Sequence, residues 1–257
     1  MTDLKDRTVF ITGASAGIGA ACAEVFAEHG ARLLLCARRT DRLAALADRL
    51  RRDHGVAVHP FALDVRDADA VRESIDGLPE TWQAIDVLVN NAGLAKSRDK
   101  FQDLNYEHID AMVDTNVKGL LYVTRAVLPG MVARDRGHVI NLGSIAGRQV
   151  YPGATVYCAT KFAVHAVTMG LKIDLLGTGV RVSSVDPGLV ETEFSLVRFE
   201  GDAERAAAVY AGLTPLTPRD VAEAVVFCAT RPPHVDVTEM VVLASDQATA
   251  TMTYRRS

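Results

Sequence analysis

No apolar run in the 257 residues approaches the roughly 20 that a helix needs to span a membrane. The opening Met1-Thr2-Asp3-Leu4-Lys5-Asp6-Arg7 also lacks the hydrophobic stretch of an export signal. Both absences lead to the expectation of a soluble, unexported, cytoplasmic protein. Lys and Arg form no block and the formal net charge is -4, so a nucleic-acid partner, which usually meets a basic stripe, is not expected. Cys22, Cys36, Cys158 and Cys228 show no CxxC spacing and fall mostly in apolar stretches, which reads as reduced, buried thiols. The seven histidines match no metal-ligand motif, so no metal site is expected. Repeats, linkers and low-complexity segments are missing too, which favours one domain over residues 1–257.

Hydrophobic residues make up 49% of the chain against 23% charged, enough for a sheet covered on both faces. Short β-branched or aliphatic runs alternate with helical patterns, the signature of βαβ units. Strands are expected at Thr8 to Thr12, Arg32 to Ala37, Val56 to Leu63, Val87 to Asn90, His138 to Leu142, Val180 to Asp186 and Glu239 to Leu243. Leu43, Leu46 and Leu50 repeat at helical spacing, as do Val71, Ile75 and Leu78, and Thr217-Pro218 reads as an N-cap followed by proline at the first helical position. The expected fold class is α/β: a doubly wound, Rossmann-like, seven-stranded parallel sheet flanked by helices on both faces. Residues 191–212, just after Pro187-Gly188, are less regular. They read either as a flap over the carboxyl ends of the strands, where such sheets bind ligands, or as a surface connection of two short helices.

Between the first strand and a helix beginning Ala20-Ala21-Cys22-Ala23 lies Thr12-Gly13-Ala14-Ser15-Ala16-Gly17-Ile18-Gly19. Small residues there let a pyrophosphate reach the backbone NH groups of the helix N-terminus. Where an NAD enzyme usually carries an acid after the second strand, this chain has Ala37, Arg38 and Arg39. Guanidinium groups pair with a 2′-phosphate that a carboxylate would repel, so the expected cofactor is NADP. Asp64-Val65 and Asn91-Ala92-Gly93 end the third and fourth strands beside the same crevice, whereas Asn90 reads as satisfying backbone groups. Tyr157-x-x-x-Lys161 places a phenol and an ammonium on one helix face. An ammonium about 5 Å from the phenol, at an effective dielectric near 20, is worth roughly 3 kcal/mol and lowers its pKa by about two units.

These positions, with Asn116, Ser144 standing 13 residues before Tyr157, and Pro187-Gly188-Leu189-Val190-Glu191-Thr192, resemble the short-chain dehydrogenase/reductase family along essentially the whole chain. The resemblance implies a tetrad of Asn116, Ser144, Tyr157 and Lys161. In it Tyr157 exchanges the proton, Ser144 holds the substrate oxygen, Lys161 also binds the nicotinamide ribose, and Asn116 positions a water linking Lys161 to solvent. Gly13, Ser15, Ala16, Gly17, Ile18, Gly19, Arg38, Arg39, Asp64, Val65, Asn91, Ala92, Gly93, Pro187, Gly188, Val190 and Thr192 are then expected to hold the cofactor together with Tyr157 and Lys161. A homotetramer is implied, with the helices that carry Asn116 and Tyr157 at subunit contacts. The tail from Thr251 either reaches a neighbouring subunit or frays.

Within the family, the stretches 124–131 and 193–202 look like NADP-dependent 3-hydroxy acid dehydrogenases, a group acting on serine, allo-threonine and malonic semialdehyde. A short acidic substrate requires a cation, and Arg148 and Arg198 are the candidates, each with a solvated surface charge as its alternative. Two other readings stay open: a broad carbonyl or sulfoacetaldehyde-type reductase, and a catalytically silent NADP-binding regulator.

Overall fold

The computed structural model describes residues 3–256. Seven strands form one parallel sheet: β1 (Thr8–Thr12), β2 (Arg32–Ala37), β3 (Val58–Ala62), β4 (Ile85–Asn90), β5 (Gly137–Leu142), β6 (Val180–Pro187) and β7 (Glu239–Val242), in the order β3-β2-β1-β4-β5-β6-β7. The connecting helices are α1 (Gly17–Glu28), α2 (Thr40–His54), α3 (Ala68–Asp76), α4 (Glu80–Gln83), α5 (Tyr106–Val113), α6 (Leu120–Ala133), α7 (Thr155–Asp174), α8 (Glu193–Arg198), α9 (Ala203–Ala208) and α10 (Pro218–Ala229). The order runs outward from β1 in one direction and from β4 in the other, so the sheet is doubly wound with its switch point between them. Among the described residues no helix is long and apolar enough to cross a membrane.

Alternation along each strand splits the core into two layers. Val9 and Ile11 of β1 join one cluster with Phe26 of α1, Leu43 of α2 and Val225 of α10. Phe10, between them, faces the opposite way and joins Leu34, Leu88 and Val123. Full burial of a side chain of this size is worth about 1.5–3 kcal/mol, so strands with both faces covered read as continuous apolar runs. Leu43, Leu46 and Leu50 lie on the buried face of α2, and Val71 on that of α3, as the periodicity predicts. Thr217 and Asp220 form a reciprocal capping box at the start of α10.

Strand boundaries differ slightly from those expected. β3 starts at Val58 because its ladder begins opposite Leu33, so Val56 has no β2 residue to pair with. β4 starts two residues early because Ile85 pairs with Thr8 across a local irregularity. Within the described residues the tail is held to its own chain: Arg256 N donates to Gly212 O at 2.6 Å, and its guanidinium to Asp246 at 3.0 Å. All four cysteines are buried and unbridged.

Candidate active site

A crevice of about 450 Å³ opens at the carboxyl ends of the strands around the switch point. Gly13, Ser15, Ala16, Gly17 and Ile18 line it, whereas Gly19 lies just beneath. Gly13 has a left-handed φ of +66°, and a Cβ there would stand 2.9 Å from the Cα of Ala92. The loops after β1 and β4 are stitched together. Thr12 Oγ1 accepts from Asn91 N at 3.1 Å and Ala92 N at 3.0 Å, while Asn91 Nδ2 donates to Thr12 O at 2.9 Å and Gly13 O at 3.2 Å. Thr12 was absent from the expected site residues; its only sequence signal is a hydroxyl at the last position of the strand.

At the start of α1 the N-cap is Ala16, which has no side chain to satisfy the first-turn NH groups. That open, partly positive terminus faces the crevice and suits a pyrophosphate. On the neighbouring wall Arg38 and Arg39 are exposed. Arg39 donates through Nε to Ser15 Oγ at 3.2 Å and pairs with Glu193 at 2.9 Å. Arg38 makes no ion pair among the described residues and acts on Asp64 only through its field. Asp64 is gripped by Arg66, with Nη2 to Oδ2 at 2.6 Å, which holds its carboxyl below the usual range. Glycine turn, open helix terminus and uncompensated guanidinium together fit a dinucleotide that carries a 2′-phosphate.

The other half of the crevice holds Ser144, Tyr157 and Lys161, each largely buried. Lys161 lies one helical turn after Tyr157 on α7, and Ser144 caps the short turn after β5, accepting from Ala146 N at 3.1 Å. Burial pushes the Tyr157 phenol well above its ordinary value, and Tyr151 adds to this; Arg198 and a hydrogen bond with Ser144 pull the other way. Burial lowers the Lys161 ammonium to about 8, opposed by Asp186. Lys161 Nζ donates to Leu142 O at 2.7 Å, and the main influences on the Tyr157 phenol are its burial, Tyr151, Arg198 and Ser144.

Asn116 sits in a π-helical turn, Asp114–Gly119, between α5 and α6, and does not line the crevice. Its amide is fully engaged: Oδ1 accepts from Leu94 N at 2.8 Å, and Nδ2 donates to Leu94 O at 2.8 Å and Thr160 Oγ1 at 3.0 Å. The side chain thus clamps the loop after β4 to the helix bearing Tyr157. Asn90 is structural, but it serves side chains instead of the backbone groups expected: Nδ2 donates to Thr124 Oγ1 at 2.8 Å and Asn141 Oδ1 at 2.9 Å.

Pro187, Gly188, Val190 and Thr192 line the crevice beside Asp64, Val65, Asn91, Ala92 and Gly93. Residues 191–212 form two short helices, and Phe194, Arg198 and Tyr210 from this segment complete the wall. Tyr210 Oη donates to Val190 O at 2.8 Å and meets Ser195 Oγ at 2.7 Å, pinning the segment.

The two candidate substrate cations separate cleanly. Arg148 is a correction: it does not line the crevice, and its guanidinium is neutralised by Asp186 at 2.7 Å and Glu239 at 2.5 Å. Arg198 does line it. Its guanidinium carbon stands 5.0 Å above the Tyr157 ring and Nη2 donates to Tyr151 Oη at 3.2 Å, while its buried Nε has no hydrogen-bond partner. Tyr151 and Phe194 had no local signal, since only the folded chain brings them beside Tyr157.

A family model described as short chain dehydrogenase matches residues 7–202. The chain is 47% identical over 250 residues to the NADP-dependent 3-hydroxy acid dehydrogenase YdfG of Salmonella typhi, covering 97% of this chain and 99% of that protein. It is also 47% identical over 241 residues to sulfoacetaldehyde reductase 2 of Chromohalobacter salexigens, covering 93% and 95%. Among solved structures, the closed form of serine dehydrogenase complexed with NADP+ superposes with a TM-score of 0.92 at 43% identity, covering 97% of this chain and all of that one.

Proposed function

We propose that this chain, which belongs to the short-chain dehydrogenase family, is an NADP-dependent oxidoreductase acting on the alcohol or carbonyl of a short 3-hydroxy acid or its semialdehyde. The observation that carries the reading is the meeting, in one crevice, of the buried Tyr157 phenol, Ser144 and the unneutralised Arg198. A bound nicotinamide supplies the hydride acceptor or donor. Tyr157 gives its proton to the carbonyl oxygen in reduction and takes the hydroxyl proton in oxidation. Ser144, itself largely buried, holds that oxygen through its hydroxyl. Lys161 would hold a bound nicotinamide ribose, exchanging its bond to Leu142 O, and Asn116 acts as a positioning residue through Leu94 and Thr160. Gly13, Ser15, Ala16, Gly17 and Ile18 hold the pyrophosphate, and Arg38 with Arg39 the 2′-phosphate.

Arg198 and the Tyr151 hydroxyl receive the substrate's anionic group. Replacing Arg198 with Ala should lower kcat/KM for a 3-hydroxy acid by about 50-fold, the worth of a charge-assisted hydrogen bond of about 2.3 kcal/mol. An uncharged alcohol of the same length should change little. Steady-state kinetics on both substrates decides, and an equal loss on the two would remove Arg198 from carboxylate recognition. The same donors suit a sulfonate, which keeps a sulfoacetaldehyde-type reduction as the second reading, favoured by the similarity to the Chromohalobacter protein. Kinetics with both acids separates the two. A silent NADP-binding regulator has less support, because Tyr157 and Lys161 are both in place.

Assembly into a homotetramer is supported by an exposed apolar face: Phe162, Met169, Ile173 and Leu176 follow one side of α7 and its end. Ile173→Glu should leave a smaller species, seen by sedimentation velocity; an unchanged mass would put the contact elsewhere. A reducing cytoplasm suits four buried, unbridged thiols.

A further inference from the structure

One side chain spans the crevice from the flap to the cofactor wall. Glu193, the first residue of α8, places Oε2 2.9 Å from Arg39 and Oε1 2.7 Å from Arg42. The pairing joins residues 154 and 151 positions apart, and nothing in the chemistry proposed above uses it. Arg38, Arg39, Ser15 and Glu193 all line the same crevice. A carboxylate therefore stands on the wall where two arginines would receive a 2′-phosphate. We infer that Glu193 is a specificity-determining residue for the cofactor: it competes with the 2′-phosphate for Arg39 and tempers the preference for NADP(H) over NAD(H).

This inference rests on the NADP-binding reading above. The two arginines hold the Glu193 carboxyl below its usual range, so it is anionic at neutral pH. A phosphate monoester carries a charge of about -1.5 to -2 at pH 7 and needs the same guanidinium donors. Arg38, which makes no ion pair among the described residues, receives it without competition, whereas Arg39 has Nη1 committed to Glu193 and Nε to Ser15, so the phosphate meets a guanidinium whose charge Glu193 already partly offsets. Side-chain exposures of 45% for Arg39 and 43% for Glu193 mean that solvent weakens the repulsion without removing it. A cofactor lacking the 2′-phosphate meets no such repulsion, so the effect enters the ratio of the two affinities. Phe194, the neighbour of Glu193, packs 5.6 Å from the Tyr157 ring, which connects the contact physically to the substrate side.

Glu200, midway along the flap between α8 and α9, provides the control. It pairs with His108 at 3.0 Å and Lys96 at 3.8 Å, away from the crevice lining, in a left-handed conformation with φ of +55°. Glu200→Gln loosens the flap without touching the phosphate wall.

NADPH and NADH dissociation constants are measured by fluorescence titration for the wild type, Glu193→Gln and Glu200→Gln, with thermal unfolding confirming that each variant is folded. Glu193→Gln should bind NADPH about fivefold more tightly, the gain expected from removing one partly screened charge that shares Arg39 with the phosphate. NADH affinity should be nearly unchanged, and Glu200→Gln should shift both cofactors by the same factor. Weaker NADPH binding in Glu193→Gln would show that the carboxylate orients Arg39 instead of competing for it, and would overturn the inference. An unchanged NADPH-to-NADH ratio would overturn it as well. A wild type without NADPH preference would sink the cofactor reading beneath it, a result distinct from both.

Discussion

Tyr157→Phe should reduce turnover by at least about 10³-fold, within the range that a general acid or base contributes. NADPH affinity should stay close to that of the wild type. The substitution keeps the ring against Phe194, 5.6 Å away, and under the Arg198 guanidinium, 5.0 Å away, and removes only the hydroxyl. The raised phenol pKa fixes the direction of the pH dependence. At neutral pH Tyr157 holds its proton, the state that carbonyl reduction consumes. Reduction should therefore persist through neutrality and fall as pH rises through the phenol's value in the complex, whereas alcohol oxidation, which needs the phenolate, should climb over the same range. A Lys161 ammonium drawn from Leu142 O to a bound ribose would shift both profiles toward lower pH. Rate profiles in both directions, with NADPH titration of the variant, test the scheme. A variant retaining roughly a tenth of the wild-type rate would remove Tyr157 from the proton transfer.

Gly19→Ala should nearly abolish cofactor binding and destabilise the fold, although only one methyl group is added. A Cβ at Gly19 would lie 2.4 Å from Asn91 Nδ2 and 2.5 Å from Gly13 O. Neither neighbour can yield freely, because Asn91 Nδ2 is held by Thr12 O and Gly13 O, and the second obstacle is backbone. Overpacking of this kind costs about 1–3 kcal/mol in stability. Displacing the glycine turn also misplaces the NH groups at the start of α1, and a comparable loss in binding corresponds to about 100-fold in NADPH affinity. Thermal unfolding and fluorescence titration provide the two measurements. Wild-type NADPH affinity in a folded Gly19→Ala protein would show that this turn is not the phosphate cradle.

Much of the fold was legible because its signals are local. A strand buried on both faces reads as an apolar run, and β1 and β2 fall where those runs predicted them. The N-cap at Thr217 and the glycine turn after β1 follow from short-range sterics and hydrogen bonding, which neighbouring residues reveal. Ends that depend on a partner strand were less legible, and β3 and β4 shifted by two residues each at their starts. Residue types suited to the chemistry were equally visible, since Tyr157 and Lys161 share a helix face at a spacing that any helix imposes.

The amino-acid order determined the βαβ alternation, the helix faces and the presence of a phenol, an ammonium and a glycine turn, all of which arise from contacts within a few residues. Only the tertiary structure decided what each charged group does. It turned Arg148 toward Asp186 and Glu239 and left Arg198 open over Tyr157. It also gave Lys161 to the Leu142 carbonyl, spent the Asn116 amide on Leu94 and Thr160, and carried Glu193 across the crevice to Arg39. The physical reason is range: propensity and periodicity act over one or two helical turns, whereas an ion pair or a desolvated lysine depends on which distant strands and helices the packed sheet brings together.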